Sequence, residues 1–123
     1  MKAAVYYGPG DLRIEECPLP KIGPGDILLK VGACAICGTD MRIFRHGHHG
    51  VKIPQIIGHE IAGTIAEIGK DVKGYAVGDK VAVDPIVSCG ECFYCRRGLT
   101  NLCLNFKENY EAFGYYYPGG FAE

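Results

Sequence analysis

Four cysteines crowd one short stretch of this chain: Cys89, Cys92, Cys95 and Cys103, in a Cys-x2-Cys-x2-Cys-x7-Cys array. Zn2+ favours four thiolates in a tetrahedron, and a set closed by four protein ligands leaves no position for substrate, so the spacing predicts a structural ion. The surrounding stretch, 88–104, holds few aliphatic residues and cannot build a hydrophobic core of its own. Metal binding would replace that core, because binding free energy at a structural zinc is folding free energy for the segment that wraps it. Two other readings exist for four clustered cysteines: reduced free thiols, or an iron-sulfur cluster suggested by the Cys-x2-Cys-x2-Cys start. The distant fourth Cys and the lack of a Pro after it count against the cluster.

A second set is spread out: Cys37, and His59 followed by Glu60. Taken singly, a Cys is usually a small core residue and a His at a strand end is usually just hydrogen-bonded. Together they offer one thiolate, one imidazole and one carboxylate, a mixed set typical of an open catalytic zinc that keeps a position for water or substrate.

The elements that must position these residues are short. Eighteen Gly and seven Pro leave little room for long helices and favour strands joined by turns. Lys2 to Tyr7 and Leu12 to Cys17 are β-prone runs around Gly8-Pro9-Gly10-Asp11, which predicts a hairpin. Within Asp26 to Ala35, Ile27, Leu29 and Val31 alternate with Leu28 and Lys30, which predicts a strand with one well-buried face. Cys37 to His46 is the clear helix candidate, with Thr39 and Asp40 as potential caps and Met41, Ile43 and Phe44 as its apolar face. From Ile61 to Ile68 apolar residues occupy both parities, which predicts a strand buried on both sides. Lys80 to Val83 is a further strand, and His46 to Gly50 a loop.

Composition narrows the class. The 123 residues suit a single domain, 48% hydrophobic and 22% charged, with a net charge of -1 and no basic run. Nucleic acid and an anionic membrane are therefore poor partners, and no apolar run reaches the ~18 residues of a membrane span. Seven Cys, an odd number, with no signal-like start, predict reduced thiols in a cytoplasmic protein rather than a disulfide framework.

Gly58-His59-Glu60-Ile61-Ala62-Gly63, followed by Gly69 and Val72, resembles the G-H-E-x2-G-x5-G-x2-V signature of zinc-containing medium-chain alcohol dehydrogenases. Cys37-Gly38-Thr39-Asp40, the Gly78-Asp79-Lys80-Val81 turn, the four-Cys lobe and the final Gly120-Phe121-Ala122-Glu123 follow in the family's order. The pattern is most similar to the polyol, threonine and secondary-alcohol dehydrogenases. The resemblance implies that residues 1–123 are the amino-terminal GroES-like domain, mainly β (α+β), a partly open β-barrel with a short helix and a zinc lobe. It also implies that Cys37 and His59 ligate the catalytic zinc, with Glu60 a further or exchanging ligand. Thr39 would carry the substrate proton outward, and Asp40 would accept the other ring N–H of His59. The reaction implied is oxidation of an alcohol, a secondary alcohol or polyol, to a carbonyl by hydride transfer to NAD or NADP. The whole protein would be a homo-oligomer.

Two features depart from the family pattern. Arg42 stands where a relay His is common, and a guanidinium cannot accept a proton. The relay would then end at Thr39 and water, or pass to a cofactor ribose hydroxyl or to His46, His48 or His49. No G-x-G-x-x-G occurs in the sequence, so a Rossmann domain binding NAD(P) is expected elsewhere, and the 123 residues alone are expected to be inactive. Cys17 and Cys34 match no ligand position and read as packing residues. A stand-alone zinc-stabilised interaction module would need neither Cys37 nor His59, and a zinc-free quinone or enoyl reductase would lack both zinc sets.

Overall fold

In the computed structural model, which describes residues Met1–Glu123, the chain opens as an antiparallel hairpin of β1 (Lys2–Gly8) and β2 (Asp11–Glu16). The next strand, β3 (Ile27–Ala35), leads into α1 (Gly38–His46). After a loop, the short β4 (Gln55–Ile56) returns to the free edge of β1, giving a three-stranded sheet in the order β2-β1-β4. A second sheet, in the order β3-β5-β6, forms as β5 (Glu60–Ile68) pairs antiparallel with β3 and with β6 (Lys80–Ala82). This is the mainly β, partly open arrangement expected, with a second short helix, α2 (Leu104–Asn109), late in the chain. No helix is long and apolar enough to cross a membrane.

The principal core is small. Tyr6 of β1, Ile43 of α1, Val51 and Ile57 form a buried cluster, with Tyr115 and Phe121 packed against it. The Tyr6 hydroxyl donates to the Ile43 carbonyl at 2.8 Å, and the Gly10 N–H of the hairpin turn donates to Phe44 O at 2.7 Å. These bonds fix the helix against the first sheet while giving the buried phenol a partner.

The end of the chain threads between the elements. Gly119, Gly120 and Phe121 donate their N–H groups to Ile56, Gly58 and Ile57 carbonyls at 2.7, 2.9 and 3.0 Å, while Ala4 N–H donates to Phe121 O at 2.8 Å. Residues 119–121 thereby clamp the segment that delivers His59. The fit excludes side chains: a Cβ on Gly58, whose φ is +92°, would lie 2.5 Å from the Phe121 ring. One on Gly119 would overlap the Ile57 and Gly58 carbonyls.

Several expectations are corrected. In β5 only Ile61 and Ile65 are buried, and they share a parity; the alternate apolar positions Ala62 and Ala66 are exposed. Alanines lose little by facing water, so apolar character at both parities did not require two buried faces. Strand β3 is half-buried rather than well buried on one face. The N-cap residue is Cys37, with Asp40 completing a reciprocal cap from inside the first turn, whereas the Thr39 side chain takes no part; the inward residues are Asp40 and Ile43, and Met41 is 41% exposed.

Candidate functional site

The sheet register creates the first centre. Strand β3 ends at Ala35 and β5 begins at Glu60, and these two residues are paired. Cys37, two residues past one strand end, and His59, one residue before the other, therefore converge at the same end of the sheet. Cys37 Sγ lies 3.4 Å from His59 Nε2. Two donors sharing a tetrahedral zinc, at Zn–S ~2.3 Å and Zn–N ~2.0 Å, sit about 3.5 Å apart.

Asp40 joins both residues. Its Oδ2 accepts the Cys37 N–H at 2.9 Å, while the Cys37 sulfur accepts the Thr39 N–H at 3.3 Å, a reciprocal cap at the start of α1. Its other oxygen, Oδ1, faces His59 Nδ1 at 3.5 Å. Both atoms are buried and have no other partner. A proton on Nδ1 directed at this carboxylate leaves the Nε2 lone pair facing the Cys37 sulfur, which is the tautomer a metal ligand needs. The donor atoms of Cys37, Asp40 and His59 all lie within 4.8 Å of one another. Glu60 is exposed at the start of β5 and stands outside this group.

The second centre is the lobe. Sγ of Cys103 lies 3.6 Å from that of Cys89, and Sγ of Cys89 lies 4.0 Å from that of Cys95. Tetrahedral zinc thiolates are about 3.8 Å apart at Zn–S ~2.3 Å. All four sulfurs fall within 4.8 Å of one another, and every cysteine of the chain is free. Backbone N–H groups of Cys89, Cys92 and Cys95 point at the sulfurs of Cys103, Cys89 and Cys92 at 3.4, 3.4 and 3.5 Å. The Cys95 and Leu104 amides pull the Cys92 thiol down to about 6, while burial and its Cys92 neighbour push Cys95 up to about 12. Neighbouring thiolates repel one another, and a divalent cation among them is the charge that lets all four ionise. The lobe is wider than the cysteine span, because Ile86 bridges Ala112, Val87 N–H donates to Glu111 O and Phe113 N–H donates to Pro85 O. This neck closes an excursion from residue 88 to residue 110.

Aromatic residues that carried no signal in the sequence complete the first centre. The Tyr115 ring lies 5.8 Å from the His59 ring, and His48 meets both Tyr110 and Tyr115 edge-on at 5.3 Å. Burial, then the Asp40 and Cys37 charges, push the Tyr115 phenol upward, while the Thr39 hydroxyl acts the opposite way. A cavity of about 220 Å3 opens beside His59. Arg42, His46 and His49 do not line it, whereas His48 does. Cys17 and Cys34 are half-buried and belong to neither centre.

Comparison with known proteins agrees with this geometry. Residues 23–123 match the family described as the alcohol dehydrogenase GroES-like domain. L-threonine 3-dehydrogenase of Pyrococcus horikoshii is 44% identical over 126 residues, covering 100% of this chain and 34% of that protein. Sorbitol dehydrogenase of Bacillus subtilis is 45% identical over 106 residues, covering 84% of this chain and 30% of that protein. A cobalt- and zinc-bound thermostable alcohol dehydrogenase from Pyrobaculum aerophilum superposes with a TM-score of 0.90 at 32% identity, over 100% of this chain and 37% of that one. The chain thus spans about a third of the length of these proteins. With the family pattern matched over most of its residues and both cysteine-bearing centres assembled, the chain belongs to the alcohol dehydrogenase GroES-like domain family.

Proposed function

We propose that residues 1–123 form the zinc-binding catalytic domain of an NAD(P)-dependent alcohol dehydrogenase, with the nucleotide held by a Rossmann domain outside these residues. The observation that carries this is the Cys37–His59 approach at 3.4 Å with Asp40 behind both. The orphaned, buried Asp40 Oδ1 and His59 Nδ1 fit a metal site, because a ligating His normally directs its second nitrogen to a carboxylate. Surface area supports the two-domain reading: the chain exposes 7740 Å2, against about 6,500 Å2 for a free-standing monomer of its mass. Ile36, beside Cys37, is 70% exposed.

In this reading Cys37 and His59 hold the catalytic ion, and Glu60, exposed and next in sequence to His59, is the carboxylate available as a further or exchanging ligand. Cys89, Cys92, Cys95 and Cys103 hold the structural one. A catalytic Zn2+ supplies Lewis acidity that makes a hydroxyl proton acidic enough to leave near neutral pH. Thr39 receives that proton and passes it to water, and Asp40 keeps the His59 proton on Nδ1. A nicotinamide held by the other domain would accept the carbinol hydride with its electron pair, so that alcohol and NAD(P)+ would give carbonyl, NAD(P)H and H+. Seven free thiols suit a reducing, cytoplasmic setting. The partner is a small alcohol rather than nucleic acid or membrane, in a whole protein that is a homo-oligomer.

The test is NAD(P)-dependent oxidation of an alcohol panel by the whole zinc-loaded protein, followed by nicotinamide absorbance. Turnover should fall at least ~100-fold in Cys37→Ser and His59→Ala while the lobe ion is retained. No turnover of any alcohol, or full activity in Cys37→Ser, sinks the proposal.

A further inference from the structure

The cavity beside His59 carries information on the substrate that the relatives do not. Its walls are Pro85, Ile86, Phe106, Tyr110, Ala112 and Tyr115, completed by the rings of His48 and His59. None of these residues is Asp, Glu, Lys or Arg. The relatives are a threonine and a sorbitol dehydrogenase, whose named substrates carry an ammonium and a carboxylate or a row of hydroxyls. Groups of that kind, taken out of water, need charged or hydrogen-bonding partners. Here the lining holds no carboxylate, ammonium or guanidinium, and its polar groups are two phenols and two imidazoles set among aliphatic and aromatic surface.

The walls are also held in place. A Cβ on Gly50 would meet Tyr110 at 2.7 Å, so the ring is seated against the loop backbone. His48 stands edge-on between Tyr110 and Tyr115, and its Nδ1 accepts the Gly50 N–H at 3.0 Å. That bond places the proton of the neutral ring on Nε2, leaving a single imidazole donor at the wall. Burial, with His49 and Arg42 nearby, holds the His48 pKa below its ordinary value, so the ring is neutral near pH 7.

We propose that the site accepts a secondary alcohol whose substituent is an apolar or aromatic group of about benzyl size, and discriminates against polyols and hydroxy amino acids. This rests on the dehydrogenase reading above. A group of that size has room in the cavity of about 220 Å3, since an apolar cavity of about 150 Å3 suffices for benzene. The reaction balance is unchanged: the carbinol hydride goes to NAD(P)+ and the hydroxyl proton to Thr39 and water.

The experiment compares 1-phenylethanol, sorbitol and L-threonine as substrates of the whole zinc-loaded protein, with calorimetric binding of the same three compounds. The kcat/KM for 1-phenylethanol should exceed that for the other two by at least ~100-fold, because a wall with no charged side chain and only the Tyr110, Tyr115 and His48 donors leaves an ammonium, a carboxylate or most of a row of hydroxyls unpaired. Ile86→Ser, which introduces a hydroxyl on the wall, should narrow the ratio about tenfold, mainly by lowering kcat/KM for 1-phenylethanol. Equal or better turnover of sorbitol or threonine overturns the inference and leaves the dehydrogenase reading standing. If nothing turns over, the binding arm decides: 1-phenylethanol bound in preference to sorbitol upholds the cavity assignment while the dehydrogenase reading falls, and no preference overturns both.

Discussion

Asp40→Asn separates the electrical role of the carboxylate from its structural one. The substitution is nearly isosteric at a side chain that is 3% exposed, and the amide oxygen can still accept the Cys37 N–H that Asp40 Oδ2 accepts at 2.9 Å. The cap then survives, and stability should change by less than about 1 kcal/mol. The amide nitrogen, however, replaces Oδ1 opposite His59 Nδ1, now 3.5 Å away. An amide N–H donates, so Nδ1 becomes the acceptor and the ring proton moves to Nε2. That nitrogen faces the Cys37 sulfur at 3.4 Å, where an N–H cannot bind a metal. Loss of such an outer carboxylate weakens zinc about 10–100-fold, equivalent to roughly 1.4–2.7 kcal/mol.

Asp40→Ala should do the same to zinc and in addition orphan the Cys37 N–H, costing about 1–3 kcal/mol of stability. Metal analysis across a graded series of chelator concentrations reads out the zinc effect, with the four-Cys ion as internal reference because Asp40 is absent from that cluster. The expected pattern is one ion lost early in Asp40→Asn with an unchanged melting temperature. Retention of both ions at the wild-type chelator midpoint would refute the tautomer argument, and early loss of the lobe ion would show that the effect is not local.

In the lobe, stripping the metal should expose Cys89, Cys92, Cys95 and Cys103 to a thiol reagent and release segment 88–110; free reaction of all four in the metal-loaded protein would contradict the assignment. Gly119→Ala should destabilise the fold by about 1–3 kcal/mol, because the new Cβ has to displace the Ile57 and Gly58 carbonyls, and thermal melts with unchanged midpoint would show that the clamp yields freely. Residues 1–123 produced alone should show no micromolar binding of NAD or NADP by calorimetry, and such binding would place nucleotide recognition within this domain.

What the sequence disclosed depended on how each site is built. The lobe was legible because its four ligands lie within one short segment, where spacing alone limits the geometry. The pair Cys37 and His59 is separated by α1, a loop and β4 and becomes a site only through the Ala35–Glu60 register, which no local pattern reports. Family resemblance supplied that link, and it also singled out Asp40. Tyr115 and Tyr110 could not be placed from the sequence, because an irregular segment has no period from which to read the face a ring will take. Burial along β3 and β5 was overread for a related reason: alternation reports which face is more apolar, not whether another layer covers it.

The two centres are physically coupled through the cavity wall. Cys103 immediately precedes α2, and α2 carries Phe106 and ends beside Tyr110, both of which line the cavity. The neck of the lobe supplies Pro85, Ile86 and Ala112 to the same wall. A four-thiolate ion that does no chemistry would therefore fix one end of the surface against which a substrate would lie, in a segment with almost no core: Cys103 is its one fully buried side chain. With few apolar residues of its own behind Phe106, the lobe would draw the rigidity of this wall from the metal. Cys103→Ser should for this reason raise KM for 1-phenylethanol while leaving zinc at Cys37 and His59, because the wall loosens while the sheet register that brings those two ligands together stays intact. A variant with unchanged KM would show that the neck pairing alone holds the wall.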